Sequence, residues 1–282
     1  MTASPHFVST QWLADRLGQP NLSIVDGSWF LPAANRNGRA EYFTAHIPGA
    51  VFFDIDLIAE RSSGLPHMLP SSEAFAAAVG AMGISESHDI VVYDGAGLFS
   101  APRVWWTFRA FGARNVFILD GGFPAWSAEG RAVEAGETVK APVRFTPDFK
   151  AEAVKTVADV TAALKDESAV VIDARPADRF RGDAAEPRPG VRSGHMPGAR
   201  NLPFTSIVEG GRLASPDKIK AALAASGVDT SKPMITSCGS GVSAAILALA
   251  LESVGTPAAG IYDGSWAEWG SRTDLPLATG EA

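Results

Sequence analysis

Cysteine is almost missing from this chain: 282 residues contain one, Cys238. A single thiol closes no internal disulfide and builds no cysteine-rich metal centre, which sets aside disulfide-stapled scaffolds and zinc modules. The five histidines (6, 46, 67, 88 and 195) show no ligand spacing, so no metal is expected. Long apolar runs are also lacking. The longest, residues 244–251, falls far short of the roughly 20 residues that a membrane-spanning helix needs. The first ten residues carry no basic stretch followed by an apolar core, so no secretory signal is expected. Neither a Walker-type phosphate loop nor a dinucleotide glycine pattern occurs, since Gly95-Ala-Gly lacks a third glycine. No cofactor is therefore implied. Positive charge is scarce: 24 Lys and Arg against 31 Asp and Glu leave a net charge of −7, which argues against a nucleic-acid partner. These absences together favour a protein of the reducing cytoplasm, bound to neither membrane nor nucleic acid.

What is present is a repeat. His46-Ile-Pro-Gly-Ala50 returns as His195-Met-Pro-Gly-Ala199, and Asp26 after an apolar run returns as Asp173. Leu119-Asp-Gly-Gly-Phe-Pro-Ala-Trp126 returns as Tyr262-Asp-Gly-Ser-Trp-Ala-Glu-Trp269. Order and spacing are both kept, and the period is too long for a solenoid unit, so the chain reads as a tandem duplication. Within each half, short apolar runs alternate with helical patterns. The first half predicts helices over 10–18, 71–79 and 102–111 and strands over 23–26, 51–53, 90–93 and 116–119. The second predicts helices over 157–164, 217–225 and 242–254 and strands over 169–173, 233–236 and 260–262. Such alternation implies an α/β class, each half a mainly parallel sheet with helices on both faces. Residues 136–153 mix Pro, Lys, Thr and Glu without a helical period. They read as a linker between domains at 1–135 and 154–282.

The chemistry is concentrated at Cys238. It follows the apolar residues Met234 and Ile235 and precedes Gly-Ser-Gly and a run of helix formers. Gly239 and Gly241 let the backbone curl tightly and leave the sulfur unshielded. A loop closing onto a helix N-terminus aims amides at its centre, so a thiol there is expected to titrate below about 8.5. In the other repeat the counterpart is Asp94, which cannot do thiolate chemistry, so one active site is expected. Residues 175–200 hold six arginines against three acids in an acidic chain, which suggests that a small anion is handled there. Phosphatase chemistry would want an arginine six residues after the cysteine, where the chain has Ala244.

The paired His-x-Pro-Gly-Ala segments, the Asp-Gly-Ser-Trp segment and Cys-Gly-Ser-Gly-Val-Ser-Ala resemble the two-domain rhodanese family of sulfurtransferases, most closely its 3-mercaptopyruvate branch. The resemblance spans about Phe7 to Trp269. It implies two tandem rhodanese-like domains, only the second of them catalytic. It also implies ping-pong transfer of sulfur from 3-mercaptopyruvate through a Cys238 persulfide to a thiol, thioredoxin or cyanide, with release of pyruvate. Carried over by motif, the relay residues fall on Ser240, His67 and Asp56, and the donor carboxylate falls to Arg179 and Arg188. The loop residues Gly239, Gly241, Val242 and Ser243 would line the donor, and Arg103 is a possible helper. Family members acting on thiosulfate usually carry basic residues after the cysteine, whereas this chain has Gly239 and Ser240. Thiosulfate transfer and a non-catalytic persulfide sensor are the alternatives. His46 and His195, each before Pro-Gly in both repeats, are expected to be structural.

Overall fold

A computed structural model describes residues 5–281, which form two compact units. The first comprises the described residues up to Glu60, then Leu69–Lys150 and Gly210–Arg212. The second comprises Arg61–Met68, Ala151–Glu209 and the described residues from Leu213 onward. Neither unit is therefore one unbroken half of the sequence. The segment expected to link the domains is bound to the first unit as far as Lys150. Its backbone bonds Val143 N to Gly80 O (2.9 Å), Asp148 N to Phe111 O (3.0 Å) and Lys150 N to Ala110 O (2.7 Å). Phe145 is buried against Phe75, ring centroids 5.3 Å apart.

The first unit holds strands β1 (Phe7–Val8), β2 (Leu22–Asp26), β3 (Ala50–Phe52), β4 (Asp89–Tyr93) and β5 (Asn115–Leu119). They form a parallel sheet in the order β1-β5-β4-β2-β3. Its helices are α1 (Thr10–Ala14), α2 (Gly38–Thr44), α3 (Ser72–Ala81), α4 (Ala101–Ala110) and α5 (Gly122–Ala128). Successive strand residues point to opposite faces, and Ile90, Val91, Val92 and Tyr93 are all buried, so both faces of this sheet are covered. The helix expected over 10–18 stops at Ala14. Beyond it Arg16 N and Leu17 N bond three residues back, and Gly18 takes a left-handed φ of 79°.

The second unit repeats the plan. Strands β6 (Val154–Lys155), β7 (Val170–Asp173) and β8 (Arg200–Asn201) precede the short β9 (Val208–Glu209) and β10 (Arg212–Leu213), of which Arg212 is counted with the first unit. Then come β11 (Met234–Ser237) and β12 (Gly260–Tyr262), and the parallel sheet runs β6-β12-β11-β7-β8. The helices are α6 (Val157–Asp166), α7 (Ala177–Arg181), α8 (Pro216–Ala225), α9 (Ala244–Ser253) and α10 (Ser265–Trp269). Polar caps start several of them: Thr156 and Asp159 form a reciprocal capping box on α6, and Ser215 caps α8. The repeated histidines do the same structural work in both units. His46 stacks on Tyr42 and His195 on Phe180, at 4.1 and 3.9 Å, and each Nδ1–H donates to the carbonyl of its stacking partner. No helix among the described residues is long and apolar enough to cross a membrane.

The aspartates that end β2 and β7 differ in one respect. Each accepts an amide two residues on, at 2.9 Å, from Ser28 or Arg175. Arg175 also brings a guanidinium to Asp173, while Ser28 brings no charge to Asp26. Burial therefore pushes Asp26 up from 3.8 to about 6. A carboxyl that holds its proton more tightly when folded contributes stability fully below the unfolded value and loses it as pH rises through the folded one. Between pH 4 and pH 7 Asp26 is thus expected to cost the first unit about 2 kcal/mol. Denaturant titrations of Asp26→Asn and the parent should show the variant gaining about that much relative stability over this interval. Parallel pH profiles would contradict it.

Candidate active site

Residues 234–237 of β11 are all buried in the middle of the second sheet, and Cys238 stands at their carboxyl end. Open α/β sheets hold ligands at that edge. The cysteine is 2% exposed. Its amide donates to Ser265 Oγ (3.2 Å), its carbonyl accepts from Trp266 N (2.9 Å), and the Gly239 carbonyl accepts from Ala267 N (2.9 Å). The start of α10 thus fixes the peptide units around the sulfur. The chain then turns at Gly241, φ 79°, and α9 begins at Ala244. The helix was expected from 242; a left-handed glycine and the turn after it take up the first two of those residues. Among the described residues the amides of Gly239, Ser240, Val242 and Ser243 find no acceptor in the chain.

The first unit shows what such a loop does. Gly27 N bonds Tyr93 O (2.9 Å) as Ala174 N bonds Ser237 O (2.8 Å), which makes Asp94 the positional twin of Cys238. Asp94 is fully buried. Its Oδ1 accepts from Ala96 N (2.8 Å), and its Oδ2 accepts from the amides of Phe99 (2.7 Å), Ser100 (2.9 Å) and Ala101 (2.8 Å). Four amides converge there on one anion.

Ser240 and His67 meet. His67 Nδ1 lies 3.0 Å from Ser240 Oγ and 3.3 Å from the Ser240 carbonyl oxygen, and both residues are buried. His67 belongs to the segment Arg61–Met68, part of the second unit, and holds a left-handed φ of 61°. Asp56 belongs to the first unit, where its Oδ2 accepts from Trp29 Nε1 (3.1 Å). Arg103 is buried in α4 with its guanidinium 4.6 Å from the Trp106 ring centre.

The basic segment resolves into a chain of alternating charge. Arg175 is buried over the Trp266 ring and bonds Asp173 through Nε (2.9 Å) and Nη2 (2.7 Å). Its Nη1 reaches Glu186 Oε1 at 2.7 Å. Glu186, its side chain 4% exposed, also takes Arg179 through Nε (3.2 Å) and through a short bond to Nη2. A Cβ added to Gly239 would stand 3.2 Å from Arg179 Nη2, so this guanidinium abuts the residue after the cysteine. Arg188 is half-buried.

Two residues of this site escaped the sequence analysis. Glu186 enters the sequence reading as one of three acids in a basic segment and as the first residue of the Glu-Pro-Arg that carries Arg188, with no role of its own. Ser265 carried a signal within the repeat, because it takes the place of Gly122. Both are left-handed, at φ 49° and 57°. A Cβ at Gly122 would come within 2.5 Å of the Asp94 carbonyl oxygen, whereas the side chain of Ser265 bonds the Cys238 amide.

Two parallel units on one plan, a loop that gathers amides and one retained thiol define the class: the chain belongs to the rhodanese-like domain family, whose model matches residues 9–129 and 156–272. Among curated relatives, the 3-mercaptopyruvate sulfurtransferase of Escherichia coli strain K12 is 45% identical, covering 96% of this chain and 97% of its own. The bovine thiosulfate sulfurtransferase is 42% identical, with coverage of 93% and 91%. The crystal structure of SseA from Escherichia coli, described as a 3-mercaptopyruvate sulfotransferase, superposes with a TM-score of 0.86 at 42% identity. It covers 93% of this chain and 98% of its own.

Proposed function

We propose that this protein is a 3-mercaptopyruvate sulfurtransferase acting through a persulfide on Cys238. The observation that carries this is the composition of the cysteine loop. After Cys238 come Gly239, Ser240, Gly241, Val242 and Ser243, with no basic side chain, and the adjacent cation is an arginine already paired with a carboxylate. Such a site suits a carboxylate monoanion better than the dianion thiosulfate.

In this mechanism the Cys238 thiolate attacks the donor sulfur. The S–S bond forms as the C–S bond breaks, and the electron pair goes to carbon as the enolate of pyruvate. The proton on the donor's sulfur is delivered to that carbon, leaving pyruvate and Cys238–S–S⁻. Ser240 Oγ and His67 Nδ1, in hydrogen-bond reach, are the groups we assign to this proton transfer. Arg179 and Arg188 hold the donor carboxylate, and the loop residues Gly239, Gly241, Val242 and Ser243 line the donor. A second nucleophile then attacks the outer sulfur, and the electron pair of the S–S bond returns to Cys238. A small thiol, thioredoxin or cyanide can serve. A thiol that must stay free between turnovers fits the reducing cytoplasm.

The second reading, thiosulfate as donor, draws on the 42% identity to the bovine thiosulfate enzyme. Steady-state assays with both donors and an excess of thiol acceptor decide. Multiple turnovers of pyruvate release are expected, with kcat/KM for 3-mercaptopyruvate at least about a hundredfold above that for thiosulfate, a difference of about 2.8 kcal/mol. Comparable values would overturn the donor assignment, and a single turnover would make the protein a persulfide store.

A further inference from the structure

Glu186, two residues before Arg188 in Glu-Pro-Arg, takes up the fork of Arg179, whose guanidinium abuts Gly239 of the cysteine loop. The Nε and Nη2 edge of Arg179, the fork that matches a carboxylate bidentately, is filled by this one side chain. Nη1 has no partner among the described residues. The same carboxylate takes Nη1 of Arg175, whose other donors go to Asp173 and the Gly194 carbonyl. Asp173, Arg175, Glu186 and Arg179 therefore sum to zero charge, in a place where screening by solvent is weak because three of the four side chains are at least 96% buried. Arg179 itself is 17% exposed and touches the position after the cysteine.

We infer that Glu186 is a positioning residue that sets the choice of sulfur donor. It locks the Arg179 fork and cancels its charge, so that the cysteine loop accepts a monoanionic thiol-bearing keto acid and discriminates against a dianionic sulfur oxyanion. A monoanion needs only the remaining hydrogen bonds of the arginine. A dianion loses twice as much Coulomb energy to the carboxylate beside it, at the same distance and effective dielectric. This inference deepens the proposed donor assignment and rests on it.

The test is Glu186→Gln, which keeps shape and one carbonyl acceptor while removing the charge, compared with Glu186→Asp, which keeps the charge. In the glutamine variant the ratio of kcat/KM for thiosulfate to that for 3-mercaptopyruvate is expected to rise at least about tenfold. In the aspartate variant it should stay near the parent value. Equal losses on both donors in Glu186→Gln would mean that the carboxylate only holds the fold, and would overturn the inference. Competition against 3-mercaptopyruvate in the parent protein needs no variant to fold: pyruvate should inhibit at least about tenfold more tightly than the dianion sulfate. Equal inhibition by the two would also overturn it. A parent that never turns over 3-mercaptopyruvate sinks the functional assignment itself, whereas a parent that turns over with an unmoved ratio sinks only the role of Glu186.

Discussion

Cys238→Ser is expected to lower pyruvate release from 3-mercaptopyruvate by roughly 10⁴-fold or more, the scale of losing a nucleophile in other enzymes of covalent catalysis. The change is small in volume and leaves intact the bonds that fix this peptide, because Ser265 Oγ, Trp266 N and Ala267 N all engage backbone atoms. What it removes is chemical. A serine hydroxyl is scarcely ionised near neutral pH and cannot store sulfur as a persulfide. No second thiol exists to take over, since the chain has only this one cysteine. Burying a hydroxyl where a thiol sat costs at most about 1–3 kcal/mol if it finds no partner. Circular dichroism and a thermal melt should therefore report a folded variant. Pyruvate release close to the parental rate from that folded variant would end the persulfide account. Intact-mass analysis supplies the positive half: the parent, given donor without acceptor, should gain one sulfur and the variant none.

Much of this architecture was legible because its signals are local. The apolar runs that become β2, β4, β7 and β11 are bounded by turn residues, and the repeat by itself pairs Asp94 with Cys238. The sheets could then be read as parallel from the alternation with helices. Other features carried no local signal. Strands β1, β6 and β8 have two residues each, too short for any periodicity to register. Helices α7 and α10 have five residues, less than two turns. The start of α9 was missed by two residues because Val242 and Ser243 are acceptable in a helix; the left-handed turn at Gly241 decides otherwise. At the site, Ser240 and His67 meet across 173 positions, and only motif resemblance linked them. Arg179 stood out by its charge, but the carboxylate that holds it did not, because composition counts charges and says nothing of pairing.

Asp94→Ala is expected to destabilise the first unit by about 4 kcal/mol or more, lowering its melting temperature by roughly 10 °C. The alanine leaves four amides without their acceptor. Those of Ser100 and Ala101 are in buried bonds, where each unmet donor costs about 1–3 kcal/mol, and the lost bonds were to a charged acceptor. Asp94→Asn should fall between parent and alanine. Its amide keeps one oxygen for the cluster of three donors, but turns an N–H₂ toward the Ala96 amide. The comparison bears on Cys238 as well, because the two loops leave their sheets at equivalent positions. If the strand–loop–helix unit is built to hold an anion, the first unit satisfies it with a fixed carboxylate and the second leaves it for a thiolate. A loss below about 1 kcal/mol in Asp94→Ala, measured by denaturant titration, would mean that water replaces the carboxylate at little cost. The case for an amide cradle around the cysteine would then lose its internal precedent.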